Sequence, residues 1–277
     1  MTEPVSAPIA VRAGRFEGLM LLAYAQAGLP RLFEGDFPAP GFTAERIHGN
    51  IGATWRISSP DLPATVFAKH FVHPPLVAAA SLWREIGAER SWRAATIMAE
   101  ERIPGPRPVA VMTRQTAGLK VESVFVSEAI PGPLDRDLER WYRARFDRPD
   151  LGPELLHEKR EVIERLADLF RAAHAQSRIY FPDFHPHNMV ASRPDGALRL
   201  WLVDFDEVLF RARPDDALRN LVSLGRNSVK AQNKMTGGGR ITTSDRLRFL
   251  YRYAGPDATR EQVHRLWREV RDNWELR

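Results

Sequence analysis

The stretch Tyr180-Phe181-Pro182-Asp183-Phe184-His185-Pro186-His187-Asn188, closed further on by Leu202-Val203-Asp204-Phe205-Asp206, decides how this chain is read. Asp183 and Asn188 stand five residues apart, and Asp204 follows after a largely apolar passage. That passage runs Met189-Val190, then Pro194-Asp195-Gly196, then Leu198-Arg199-Leu200-Trp201-Leu202-Val203. Two apolar segments around a Pro-Asp-Gly turn predict a β-hairpin, which would fold Asn188 and Asp204 back toward one another.

The residue types suit phosphoryl transfer. That reaction asks little covalent work of a protein, and most of the barrier falls by holding hydroxyl, phosphate and metal in line and neutralising oxygen charge. An aspartate in the position of Asp183 accepts the proton of the attacking hydroxyl. An amide five residues later and a second carboxylate, here Asn188 and Asp204, are hard oxygen ligands for Mg2+. Two other readings of the same residues stay open. Asp, His and Asn are ordinary loop formers. His185, His187, Asp204 and Asp206 are also the ligand types of a zinc or iron hydrolase.

The first half of the chain separates these readings. His48-Gly49-Asn50-Ile51-Gly52-Ala53-Thr54-Trp55-Arg56-Ile57 precedes the apolar strand Val66-Phe67-Ala68-Lys69. Gly49 and Gly52 would let a hairpin turn lie close over phosphates, and Lys69 would reach the α- and β-phosphates of ATP. Each signal is common by itself, since a strand-terminal lysine is usually a solvated edge residue. Their order ahead of Asp183 and Asp204 is that of a kinase.

Apolar residues from Leu76 to Met98 recur at helical spacing, which predicts one helix over 76–101, stopped at Ile103-Pro104-Gly105-Pro106. Glu89 on that helix is the expected partner of Lys69, with Glu85 one turn earlier as the fallback; otherwise both are solvent-facing charges. Val109-Ala110-Val111-Met112 reads as a strand. A second strand, Val124 to Ala129, breaks at Pro131-Gly132. In a kinase that break is the hinge, and its Glu128 end would lie against adenine. Pro153 to Ser177 is a strongly amphipathic helix whose apolar stripe is core.

With these residues in place, the chain resembles the lipopolysaccharide core kinases, the protein-kinase-like enzymes that phosphorylate 3-deoxy-manno-octulosonic acid or heptose. The match is carried by 49–57, 66–69, 102–106, 183–190 and 202–208. Ala217 to Ser228 resembles the family's Asn-Leu-x-Arg-Leu-x-Arg-Ser helix, and Asp245 to Tyr253 its Arg-x-Arg-Phe-Leu-x-x-Tyr ending. The resemblance implies an α+β, bilobal kinase-like fold with a small β-rich N-lobe over 35–130 and a larger helical C-lobe over 131–277, preceded by an extension over 1–34. It implies Asp183 as catalytic, Asn188 and Asp204 as metal-binding, and Lys69 as ATP-binding. Three positions depart from the family pattern. Phe181 stands where many relatives have His, Ser91 where relatives tend to have Glu, and Ser223 where they have Arg.

Composition agrees. The 277 residues, 44% hydrophobic, suffice for one two-lobed catalytic unit, and the absence of cysteine rules out disulfides and thiolate metal sites. The longest early apolar run, Leu19 to Ala25, is too short to span a bilayer and the N-terminus does not read as a signal peptide, so a cytoplasmic protein is expected. A net charge of +5 and a pI near 9.8 favour anionic partners. An anionic glycolipid or sugar acceptor with peripheral contact at the inner membrane fits that charge. Nucleic acid is not expected, since no basic motif interleaved with aromatics is present. Two other functions remain beside the core-sugar kinase: a non-catalytic kinase-like scaffold of the envelope, motivated by Phe181 and Ser91, and a small-molecule kinase of the aminoglycoside or choline type.

Overall fold

The computed structural model describes residues 7–48, 53–134, 137–175, 179–182, 184–210, 213, 215–237 and 239–275. The chain divides into two compact units. The first comprises Met1–Ala129 together with Phe205–Glu207, and the second Ile130–Asp204 and Val208–Arg277.

The first unit is built on a seven-stranded antiparallel sheet. Its strands are β1 (Pro8–Ala13), β2 (Phe16–Leu21), β3 (Thr43–His48), β4 (Ala53–Ser58), β5 (Val66–Val72), β6 (Pro108–Thr116) and β7 (Leu119–Glu128), in the order β1-β2-β6-β7-β5-β4-β3. Period-two alternation gives each strand two different faces. On one face Val66 and Ala68 of β5, Ala110 and Met112 of β6, and Val124 and Val126 of β7 are fully buried. Leu29, Leu32 and Phe33 join them in one core. The other face carries Lys69, Phe125 and Val111, side by side across β5, β7 and β6. The stretch 1–34, set apart in the sequence as an extension, therefore supplies β1, β2 and a short 3-10 helix over Leu29–Phe33 that closes the core.

The helix expected over 76–101 is two helices, α2 (Pro75–Ala80) and α3 (Gly87–Glu100), following α1 (Leu22–Gln26). The interruption has a local cause. Ser81 turns its hydroxyl back onto the Ala78 carbonyl at 2.6 Å, and the Glu89 carboxylate accepts from the Ile86 N–H at 3.3 Å to start α3 afresh.

The second unit is helical around one small hairpin. It contains α4 (Leu138–Phe146), α5 (Pro153–Ala175), the hairpin strands β8 (Met189–Ser192) and β9 (Arg199–Leu202), α6 (Asp216–Asn233), α7 (Thr243–Ala254) and α8 (Arg260–Glu275). The apolar stripe of α5 packs on α7, with Phe170 against Phe249 and, at 3.9 Å between ring centroids, against Phe184 of the loop before β8. Lys159 of α5 is buried with Asp245 of α7, its ammonium donating to that carboxylate at 2.7 Å and to the Arg240 carbonyl at 2.6 Å. No helix among the described residues is long and apolar enough to cross a membrane.

Candidate active site

In the second unit the predicted hairpin forms, with Met189 opposite Leu202 and Ser192 opposite Arg199. The ladder continues one step beyond the strands, where the Val203 N–H donates to the Asn188 carbonyl at 2.9 Å. Asn188 and Asp204 are thereby brought to the same end of one hairpin. Asp204 is held at a φ of 68°, in the left-handed region. A residue other than glycine pays roughly 1–3 kcal/mol there, and such strain is concentrated at functional turns. An amide and a carboxylate at one hairpin end form a hard-oxygen donor pair, so these residues fit magnesium. Asp183 itself lies outside the described residues, as do Gly49 and Gly52.

The segment around Phe181 is anchored from behind. Phe181 is buried, and its carbonyl accepts from the Asn220 side-chain amide of α6 at 2.9 Å. The oxygen of that amide lies 3.1 Å from His174 Nε2 of α5, and His174 Nδ1 lies 2.9 Å from the Tyr253 hydroxyl of α7. Burial pushes the His174 imidazole down to about 4, so it is neutral near pH 7 and shares its one proton within this chain of contacts. Three helices thus converge on the backbone at Phe181. Phe181, which stands where many relatives have His, is thus held through its carbonyl by α6. The sequence offered Asn220 only as part of the family helix, with no local sign of its target.

His187 turns toward the carboxylates at the start of α4. His187 Nε2 sits 2.9 Å from Glu139 and Nδ1 3.5 Å from Asp137, while His185 Nδ1 accepts from the His187 backbone at 3.2 Å. Among the described residues no three His, Cys, Asp or Glu side chains form a metal site. The hydrolase arrangement is therefore not assembled.

In the first unit Lys69 meets Asp206, Nζ to Oδ2 at 3.1 Å, and lies 5.4 Å from the centroid of the Phe71 ring. The expected partner Glu89 is engaged elsewhere, with Lys120 and with the N-terminus of its own helix. Glu85, the fallback, pairs with Arg93 at 3.2 Å. The physical reason lies on the α3 face toward Asp206. A Cβ at Gly87 would stand 3.4 Å from the Asp206 Cβ and 3.3 Å from the Phe71 ring, and Ser91, one turn on, is buried with its hydroxyl returned to the Gly87 carbonyl at 2.9 Å. Small residues on that face leave room for a carboxylate arriving from the Asp-Phe-Asp segment. Asp204 and Asp206 therefore serve different units of the chain. Glu128 closes β7, accepting from the Tyr24 hydroxyl at 3.0 Å and from Arg107 at 3.5 Å. Its own N–H donates to the Arg107 carbonyl at 2.9 Å.

The model of the lipopolysaccharide kinase (Kdo/WaaP) family matches residues 77–253, well over half of the chain. The chain belongs to that family. Its matched region takes in α3, the loop before β8, the whole hairpin and most of α7. No curated protein sequence matches. Among solved structures, one described as WaaP in complex with acyl carrier protein is similar to this chain, with a TM-score of 0.61 and 19% identity over 84% of this chain and 88% of that one. At that identity the likeness shows the kinase-like fold, a β-sheet N-terminal region followed by a helical C-terminal part. Family membership makes the protein a phosphotransferase of the lipopolysaccharide kinase kind.

Proposed function

We propose that the protein transfers the γ-phosphoryl group of ATP to a sugar hydroxyl of the lipopolysaccharide inner core. The observation that carries this reading is the hairpin that brings Asn188 and Asp204 to one end, in a chain whose family is that of lipopolysaccharide kinases. Asp183, five residues before Asn188, accepts the proton of the acceptor hydroxyl as its oxygen bonds to phosphorus and the bond from the γ-phosphorus to the ADP oxygen breaks. Asn188 and Asp204 would hold Mg2+, which when bound supplies positive charge against the phosphate oxygens. Lys69, steadied by Asp206, binds the α- and β-phosphates. The backbone at Gly49 and Gly52 covers them, and Glu128 marks the strand end against which adenine lies. The acceptor is an anionic glycolipid, which places the work at the cytoplasmic side of the inner membrane.

The test uses purified protein, ATP, magnesium and core oligosaccharide, read by mass spectrometry. Asp204→Asn should abolish transfer and weaken magnesium-dependent ATP binding. Asp183→Ala should abolish transfer while ATP binding stays close to wild type. Wild-type transfer by either variant would refute the assignment.

A further inference from the structure

The four most exposed large apolar side chains among the described residues all fall within twelve residues. They are Leu76 at 86%, Trp83 at 75%, Val72 at 66% and Leu82 at 62%. Val72 ends β5, Leu76 lies in α2, and Leu82 and Trp83 lie in the turn that continues it. That turn keeps helical bonding, with the Arg84 N–H donating to the Ala80 carbonyl at 3.2 Å. Leu76 and Trp83, seven residues apart, therefore share one face of a short helical prow. The prow is firmly mounted: Ala78 is buried, the Lys120 N–H donates to the Ser81 hydroxyl at 3.2 Å, and the His73 N–H donates to the Val121 carbonyl at 2.9 Å.

We infer that this prow seats the protein on an anionic lipid bilayer. Three features favour lipid over a protein partner. The apolar side chains are 62–86% exposed on the end of β5 and a short helical face, the kind of surface that inserts shallowly into a headgroup layer. Trp83 and Arg84 adjoin at the tip, an amphipathic ring beside a guanidinium, which is the pairing that sits at the headgroup level. Arg84 has no ion-pair partner among the described residues. From Leu62 to Arg84 the sequence holds no Asp or Glu; Glu85, the next residue, is paired with Arg93 at 3.2 Å, and Lys69 and His70 face Asp206 and Glu122, so Arg84 is the cation of the prow that is open to phosphate headgroups. The purpose, presentation of a lipid-anchored acceptor, rests on the function proposed above; the binding itself does not.

The experiment is sedimentation of the full chain with vesicles of phosphatidylglycerol and phosphatidylethanolamine, beside vesicles of phosphatidylcholine alone. Wild type should sediment with the anionic vesicles, and Leu76→Asp combined with Trp83→Asp should weaken that partitioning by about tenfold or more. Both sites are exposed, so the urea midpoint should not move. Quenching of tryptophan emission by brominated lipid should fall in Trp83→Phe while most binding remains. With acceptor embedded in vesicles, the double variant should show a raised KM and an unchanged kcat; with water-soluble, deacylated acceptor it should match wild type. Equal sedimentation of wild type and double variant overturns the inference. So does a wild-type dimer, seen by light scattering, that the two substitutions dissociate. Failure of transfer to every acceptor with vesicle binding intact would instead count against the proposed function and leave the docking surface standing.

Discussion

Replacing Asn220 by leucine should damage the protein in two measurable ways. Asn220 is 1% exposed and spends both ends of its amide, one on the Phe181 carbonyl at 2.9 Å and the other on His174 at 3.1 Å. Leucine has the same number of side-chain heavy atoms and the same branching, so no cavity is formed. The cost is two buried polar groups left without partners, at about 1–3 kcal/mol each. Part is offset by the added apolar burial of leucine, leaving a loss of about 2–5 kcal/mol. Urea unfolding at fixed slope should show that loss as a lowered midpoint. The second effect is kinetic. Phe181 lies two residues before Asp183, the proposed base, and misplacement of a reacting group by even about 1 Å can cost on the order of a hundredfold. The folded variant should thus lose kcat for phosphate transfer while its KM for ATP stays near wild type. His174→Phe is the companion measurement, since it keeps the Asn220 to Phe181 bond and removes the orientation of the amide. A stability loss with kcat unchanged would refute the claim that this contact positions the catalytic loop, and no stability loss would refute the contact.

Lys69→Met removes the charge and keeps much of the length, so folding should survive while kcat/KM falls by about a hundredfold or more. Asp206→Asn should raise the KM for ATP, and Glu89→Gln should not; the reverse ranking in steady-state assays would restore Glu89 as the lysine's partner. Lys159→Met strands Asp245 inside the second unit and should cost about 3–5 kcal/mol by urea unfolding. Burial works to raise the Asp245 carboxyl, but its hydrogen bond from the Lys159 ammonium and those from Thr242 outweigh it and hold the group below the usual carboxylate range. A carboxyl depressed in the fold contributes stability that is present above its unfolded pKa and lost as pH falls through the folded one. Unfolding free energies measured below pH 4 should therefore show an acid loss in wild type that shrinks in Lys159→Met, and an unchanged acid loss would contradict the pairing.

Local signals carried the hairpin, α5, β5 and the order of the motif residues, because each depends on patterns within about twenty residues. Turn chemistry at Pro194-Asp195-Gly196 and the apolar runs on either side were enough to fold Asn188 back toward Asp204. What was hidden depended on contacts distant in sequence. The first 34 residues look unremarkable alone, yet Met20 pairs with Ala110 and Phe16 with Arg114, ninety and more residues away. The break between α2 and α3 was masked because Leu82 and Ile86 keep helical spacing across it, while the Ser81 hydroxyl bond that ends α2 has no apolar signature. The lysine's partner was missed for a related reason. Glu89 lies on the helix that follows the strand of Lys69, and only the packing of Gly87 and Ser91 shows that the carboxylate comes from the segment after β9.

That displacement bears on how the motif works. A glutamate on a helix can hold the lysine whether or not the segment after β9 is in place, so the two events are separable. Here the same three residues, Asp204-Phe205-Asp206, supply a carboxylate to the hairpin end in the second unit and another to Lys69 in the first. Phe205 between them is buried, 2% exposed. On the function proposed above, one three-residue segment serves both the lysine and the metal. Substitution of Phe205 by alanine, which touches neither charge, should on this account lower kcat/KM for ATP by more than its loss of stability explains. Nucleotide titrations of the folded variant would decide the matter, and wild-type affinity for ATP with magnesium would separate the two roles again.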